Sequence, residues 1–316
     1  MTTSDDTLPE VVLFNPKHIR RKYVKISARR KYWCLLFSFT LGCGGARGPR
    51  PDTPSPAPVS LPAPQPTASV APTSGSRSFK YAPGMVTYRI SRSAAIESSG
   101  PDSIRHREIS TNVTHEALTL DSTDQGTNFT VVVDTFATTT QGLIGPVQPI
   151  QLPIRSSGSL TDTTVTINQA ESEQCNTISS MLVTDLHNLL VPFPGQLSSG
   201  VAWKDSTDIK GCQGGIPTSA HTTRSFVVSG ESSYEGRPVL LIERADTTRA
   251  QGEGGLRQHR VSIDATGTGT AVYSLDMTTG RILHLTVDQI LTLSLGTLSG
   301  RFQFKQDSKQ DFRIVP

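Results

Sequence analysis

The sequence predicts a mainly β protein: one large curved antiparallel meander, half-barrel or barrel-like, with one inserted α-helix. Three observations lead there. Apolar and polar residues alternate over most of the chain after residue 79, and compact glycine-containing turns separate successive runs. Only one stretch, from Thr177 to Leu190, switches to helical spacing.

Ahead of that domain the chain reads as a leader and a tether. The uncharged apolar run from Tyr32 to Leu41 directly follows Arg29-Arg30-Lys31. As a helix it would be roughly 15 Å long, about half of a ~30 Å hydrocarbon core, so it fits the apolar region of a signal peptide and not a spanning helix. Residues 1–42 hold eight lysines and arginines against three acids, more than the whole net charge of +3, so the remainder is slightly negative. A slightly negative domain with few aromatics offers no electrostatic footprint for nucleic acid. Residues 43–78 are rich in Pro, Ala, Ser and Thr without apolar periodicity, the composition of an extended spacer.

The domain at 79–316 begins with Val86, Tyr88 and Ile90 alternating with polar neighbours. Phe129, Val131 and Val133 follow the turn Asp124-Gln125-Gly126. Tyr234-Glu235-Gly236-Arg237 separates two further runs, and Gly252 to Gly255 and Thr266-Gly267-Thr268-Gly269 read as turns as well. Thr278-Thr279-Gly280 reads as a three-residue hairpin loop with Gly280 supplying the positive φ. After it, Leu283, Leu285, Val287, Leu291, Leu293 and Leu295 are expected to share one strand face, with His284, Thr286 and Asp288 opposite. Phe302, Phe304, Phe312 and Ile314 continue the alternation, and such short links imply antiparallel neighbours.

In the helix, Ile178, Met181, Leu182, Leu186, Leu189 and Leu190 fall on one face. Asn176 can cap its start, and Pro192 disfavours helical geometry at Val191. The apolar face needs a partner surface, and the concave side of the sheet is the expected one. Met181, Leu182, Leu186 and Leu189 with Leu283, Leu285, Val287 and Leu291 are therefore the candidate lining of an apolar ligand site. The alternative is that the helix simply plugs that space. Cys175 and Cys212, the even pair left in an exported body, are expected to form a disulfide.

Thr40-Leu41-Gly42-Cys43 resembles the bacterial lipobox, which implies cleavage before Cys43, a lipid on its sulfur, and a membrane as partner. Gly44, where an aspartate would retain the protein at the inner membrane, implies the outer membrane by resemblance to the sorting rule. The helix ending in Val191-Pro192-Phe193-Pro194, then Gly200-Val201-Ala202-Trp203 and Asp276-Met277-Thr278-Thr279-Gly280, resembles a family of uncharacterised β-rich envelope lipoproteins from Phe79 onward. More distantly, strands around an inserted helix are similar to the half-barrels of periplasmic lipoprotein carriers, which hold acyl chains.

Chemistry is conspicuous by its lack of motifs. No Gly-x-Ser-x-Gly occurs, since Gly296-Thr297-Leu298-Ser299-Gly300 has its serine one place off and reads as a turn. No His-Glu-x-x-His occurs; His106 and His115 are an odd number apart, and His284 sits on a polar face. Glu171 and Glu173 precede the helix, where they favour its positive end, and Trp203 reads as a core residue. No catalytic residue, metal site or cofactor is assigned. The sequence thus points to a non-catalytic, lipid-anchored envelope protein binding an apolar ligand or an envelope partner. The alternatives are a structural or assembly accessory and, less favoured, a hydrolase whose site is assembled from distant residues.

Overall fold

The computed structural model describes residues 77–99, 105–140, 153–168, 175–213, 215–255, 260–298 and 300–315. The leader, Cys43 and nearly all of the tether lie outside them, as do Glu171 and Glu173. A short strand β1 (Arg77–Ser78) precedes β2 (Gly84–Ser99), β3 (Arg105–Thr123), β4 (Gly126–Thr140), β5 (Ile154–Leu160) and β6 (Val165–Asn168). Then come α1 (Thr177–Leu189), β7 (Gln196–Leu197), β8 (Ala202–Gln213), β9 (Ile216–Tyr234), β10 (Arg237–Gly254), β11 (Val261–Asp276), β12 (Arg281–Thr297) and β13 (Gly300–Val315). The spacer expected to run to residue 78 therefore ends in a strand, because β1 pairs with β7.

Eleven strands form one antiparallel sheet in the order β6-β5-β4-β3-β2-β13-β12-β11-β10-β9-β8, curled into a half-barrel. The chain starts in the middle of the sheet at β2 and steps outward, hairpin by hairpin, to the edge β6. It then crosses through α1 to the opposite edge, β8, and steps back inward until β13 closes on β2. The helix is thus the connection between the two free edges, and this topology brings it to the concave face.

The period-2 pattern decides which side chains face inward. Val86, Tyr88 and Ile90 of β2 point into the concavity beside Leu118 and Leu120 of β3, Tyr273 and Leu275 of β11, and Phe312 of β13. Two local expectations are corrected. Thr266 to Gly269 is no turn but the middle of β11, continuously paired on both sides. A Cβ on Gly267 would lie 2.3 Å from Leu291 Cδ2, so the glycine is there for close packing within the sheet. Likewise Gly252 and Gly254 belong to β10, leaving Gly255 outside the strand with φ +89°.

The second correction concerns β12. A register shift between Ser274 and Leu275 places Ile282 opposite Leu275, and Leu285 opposite Tyr273. Because a one-residue bulge exchanges the two faces, Ile282 joins the core cluster of Leu285 and Val287, while Leu283 is buried outside that cluster. The hairpin loop is one residue longer than the three expected, 277–280, while Gly280 has the expected positive φ of +59°; a Cβ there would also collide with the Lys80 carbonyl at 2.1 Å.

Candidate functional site

The concave face is the candidate site, and α1 packs against part of it. Asn176 caps the helix by accepting bonds from the Ile178 and Ser179 amides at 2.9 and 3.2 Å. The Cys175–Cys212 disulfide, with Cα atoms 5.2 Å apart, ties the helix start to β8. At the far end Tyr81 accepts from the Val191 amide at 3.0 Å, and its hydroxyl also lies 3.2 and 3.1 Å from the Leu189 and Val191 carbonyls. Both helix ends are therefore fastened. Between them Leu182, Leu186 and Leu189 are at most 2 % exposed and belong to one core with Ile90, Tyr273, Leu285, Val287 and Phe312.

The expected lining residues separate in the folded chain. Leu182, Leu186, Leu189, Leu285 and Val287 come together in that core. Met181 is half-buried and outside it, Leu283 is displaced by the bulge, and half-buried Leu291 packs over Gly267. Beyond the helix, a second apolar cluster of Ile216, Ile263, Ala265, Leu293, Leu295 and Phe304 lies farther along the same strands. Trp203 is half-buried, stacked on Phe226 with ring centres 4.8 Å apart, so its place beside the core is as expected.

A belt of buried polar groups runs across the concavity, and the helix supplies part of it. Arg92 of β2 pairs with Asp185 of α1, lies 3.6 Å from Glu116 of β3, and donates to Thr114 Oγ1 at 2.8 Å. Arg224 of β9 grips Asp205 of β8 with two bonds of 2.6 and 2.7 Å and donates to the His187 carbonyl at 2.5 Å. Arg244 of β10 donates to Asn188 Oδ1 at 2.9 Å, to Asp246 at 2.8 Å, and to the Tyr273 hydroxyl. Three sheet arginines thus hold three successive polar positions of one helix.

Burial dominates the ionisation of this belt. It pushes the Glu116 carboxyl well above the usual range, an effect reinforced by the adjacent Asp185 carboxyl and opposed by Arg92. Asp185 is also raised, burial outweighing the Arg92 guanidinium. His187 is pushed down to about 4 by burial and then by Arg224, so its imidazole is neutral at pH 7. These belt residues were missed in the sequence. A signal existed: Arg92 continues the inward series Val86-Tyr88-Ile90, and Asp185 and Asn188 lie three apart on a helix turn.

At the rim, a groove of about 500 Å³ merges with one of about 450 Å³; it is bounded by the β3–β4 and β5–β6 turns and by Phe79, Tyr81 and Phe193. Neither is lined by Leu186 or Leu285. On the convex face, His284 bonds Asp311 at 3.1 Å, stacks on Tyr234, and sits opposite Ser274 in the ladder. This places Ser, His and Asp on adjacent strands, but the structure gives no Ser274–His284 hydrogen bond. The surrounding amides are largely committed to sheet ladders and so unavailable to an oxyanion. Among the described residues no group of histidines, cysteines and carboxylates could hold a metal, and no helix is long and apolar enough to cross a membrane.

No family model matches the chain, and no curated protein does. Seven chains of solved structures match it. Neisserial surface protein A is 8 % identical, with a TM-score of 0.20, covering 73 % of this chain and 99 % of its own. An outer membrane channel from Pseudomonas putida F1 is 8 % identical, also with a TM-score of 0.20, covering 75 % and 98 %. TM-scores this low support no inference about this chain. The class that the fold itself defines is a curled antiparallel half-barrel with a helix in its concavity.

Proposed function

We propose that this chain is a non-catalytic protein of the cell envelope, anchored by a lipid on Cys43, that binds an envelope partner through the outside and rim of its half-barrel. One observation carries the reading: the helix fills the part of the concave face it lies on, with Leu182, Leu186, Leu189 and Leu190 in the same core as Tyr273 and Leu285. A sheet whose hollow is already occupied by its own helix has its surfaces left for function. The leader and Gly42-Cys43 support the anchor, and two or more acyl chains at one site would hold it stably.

A second reading keeps an apolar ligand as cargo, and a specific feature favours it. The cluster of Ile263, Leu293, Leu295 and Phe304 is part of the sheet beyond the helix-filled core. Native mass spectrometry of the lipidated protein from its own membranes separates the two. The partner reading expects the bare lipoprotein mass; a stoichiometric extra mass of lipid size would overturn it in favour of the carrier.

A further inference from the structure

The carboxyl groups of Glu116 and Asp185 are both buried, 0 and 1 % exposed, one on β3 and the other on α1. Arg92 lies against both and is the cation they share. Neither Glu116 oxygen nor Asp185 Oδ1 has any donor of the protein within reach. A buried acceptor without a donor is costly, and a charged one more so. Two adjacent carboxylates facing one guanidinium would also leave one negative charge uncompensated. One hydrogen placed between the two carboxyls eases both difficulties: it joins one oxygen of each carboxyl in a hydrogen bond, and the trio becomes neutral.

We propose that Glu116 and Asp185 share a single proton, and that this proton fastens helix α1 to the sheet, so that the plug loosens when the pair loses it. The other groups facing the pair do not replace that proton. Tyr88, opposite Glu116 in the ladder, has its hydroxyl on the Ile282 carbonyl at 2.9 Å. Arg224 and Arg244 are committed to Asp205 and Asp246. The upward displacement of Glu116, caused by burial and by the adjacent Asp185 carboxyl, points the same way.

The sign follows from linkage. A carboxyl raised in the folded state holds its proton there after the unfolded chain has lost it, so stability falls as pH rises toward the folded value. His187, depressed to about 4, acts on the opposite side, weakening the fold as pH falls below about 6.5. The window above about pH 6.5 therefore excludes His187, and following the α1 amides distinguishes the pair from Glu108, the other carboxyl that burial raises.

Hydrogen exchange of the α1 amides in the full chain, corrected for the intrinsic rise with pH, tests the proposal between about pH 6.5 and about pH 9. Protection is expected to fall by up to about tenfold per pH unit in the native chain. Glu116→Gln, whose amide can donate to Asp185 permanently, is expected to flatten that slope. A flat native profile, or an unchanged slope in Glu116→Gln, would overturn the proposal. Should the variant not fold, infrared spectroscopy of the native chain decides: a protonated-carboxyl band present at pH 7 and lost together with helix protection is expected. Absence of that band refutes the shared proton.

Discussion

Leu186 separates a filled concavity from one with room for a ligand. Its side chain is 0 % exposed, midway along α1, in the core formed with Ile90, Tyr273, Leu285 and Phe312. If the helix plugs the sheet, Leu186→Ala removes well-packed methyl groups and leaves a hole, which costs about 3–5 kcal/mol. Leu186→Trp forces a larger ring into occupied space, costing about 1–3 kcal/mol or more. At about 2–4 °C per kcal/mol for a domain of this size, the alanine variant should melt roughly 6–20 °C lower and the tryptophan variant measurably lower too. Thermal unfolding followed by circular dichroism, with a urea series to check that the m-value is unchanged, reads both. A Leu186→Trp protein melting at the native temperature, beside a clearly destabilised Leu186→Ala protein, would refute the filled core and show space next to the helix.

Three further outcomes are expected. Reduction, or joint Cys175→Ser and Cys212→Ser substitution, should cost about 4 kcal/mol for a bridge spanning 37 positions, seen as a lower urea midpoint. Acidification from about pH 6.5 toward 4 should destabilise the native chain by up to about 3 kcal/mol through His187, since the unfolded state takes up that proton first; His187→Gln should remove this part of the pH profile in urea titrations. Cys43→Ser should move the protein from the membrane pellet to the soluble fraction on cell fractionation, and full retention in the pellet would refute the anchor.

Where the sequence pattern was uninterrupted, the fold could be read from it. Val86-Tyr88-Ile90, Phe129-Val131-Val133 and Phe312-Ile314 alternate cleanly, and their inward faces are where periodicity puts them. The helix was legible for a similar reason: Asn176 and Pro192 bracket a run of helical spacing, and the observed helix ends one residue short of the expected Leu190. Glycine was the main source of error. Thr266-Gly267-Thr268-Gly269 carries the composition of a turn, yet these glycines make room for a neighbouring leucine and for Asp246, a long-range requirement that no local window contains. Leu283 was misplaced because a bulge at Ser274/Leu275 depends on pairing between strands. The sheet order, with β13 returning to β2, is likewise a property of the whole chain.

The polar belt is the deepest gap between pattern and structure, and it bears on what the helix is for. A helix needing only to fill a hollow would turn apolar side chains inward, as Leu182, Leu186 and Leu189 do. This one also buries Asp185, His187 and Asn188; sheet arginines hold the Asp185 and Asn188 side chains and the His187 backbone carbonyl. Buried ion pairs seldom add net stability over apolar packing, while removing one partner costs about 3–5 kcal/mol, so such groups favour one arrangement strongly over near alternatives. Here they fix the depth and rotation of α1: a slip of one turn would part Arg92 from Asp185 and Arg244 from Asn188, while Arg224 and Arg244 keep their sheet carboxylates. Apolar packing alone tolerates such slips, because leucines at i and i+4 present similar surfaces. The apolar stripe therefore brings the helix into the half-barrel, and the belt decides where in it the helix stops.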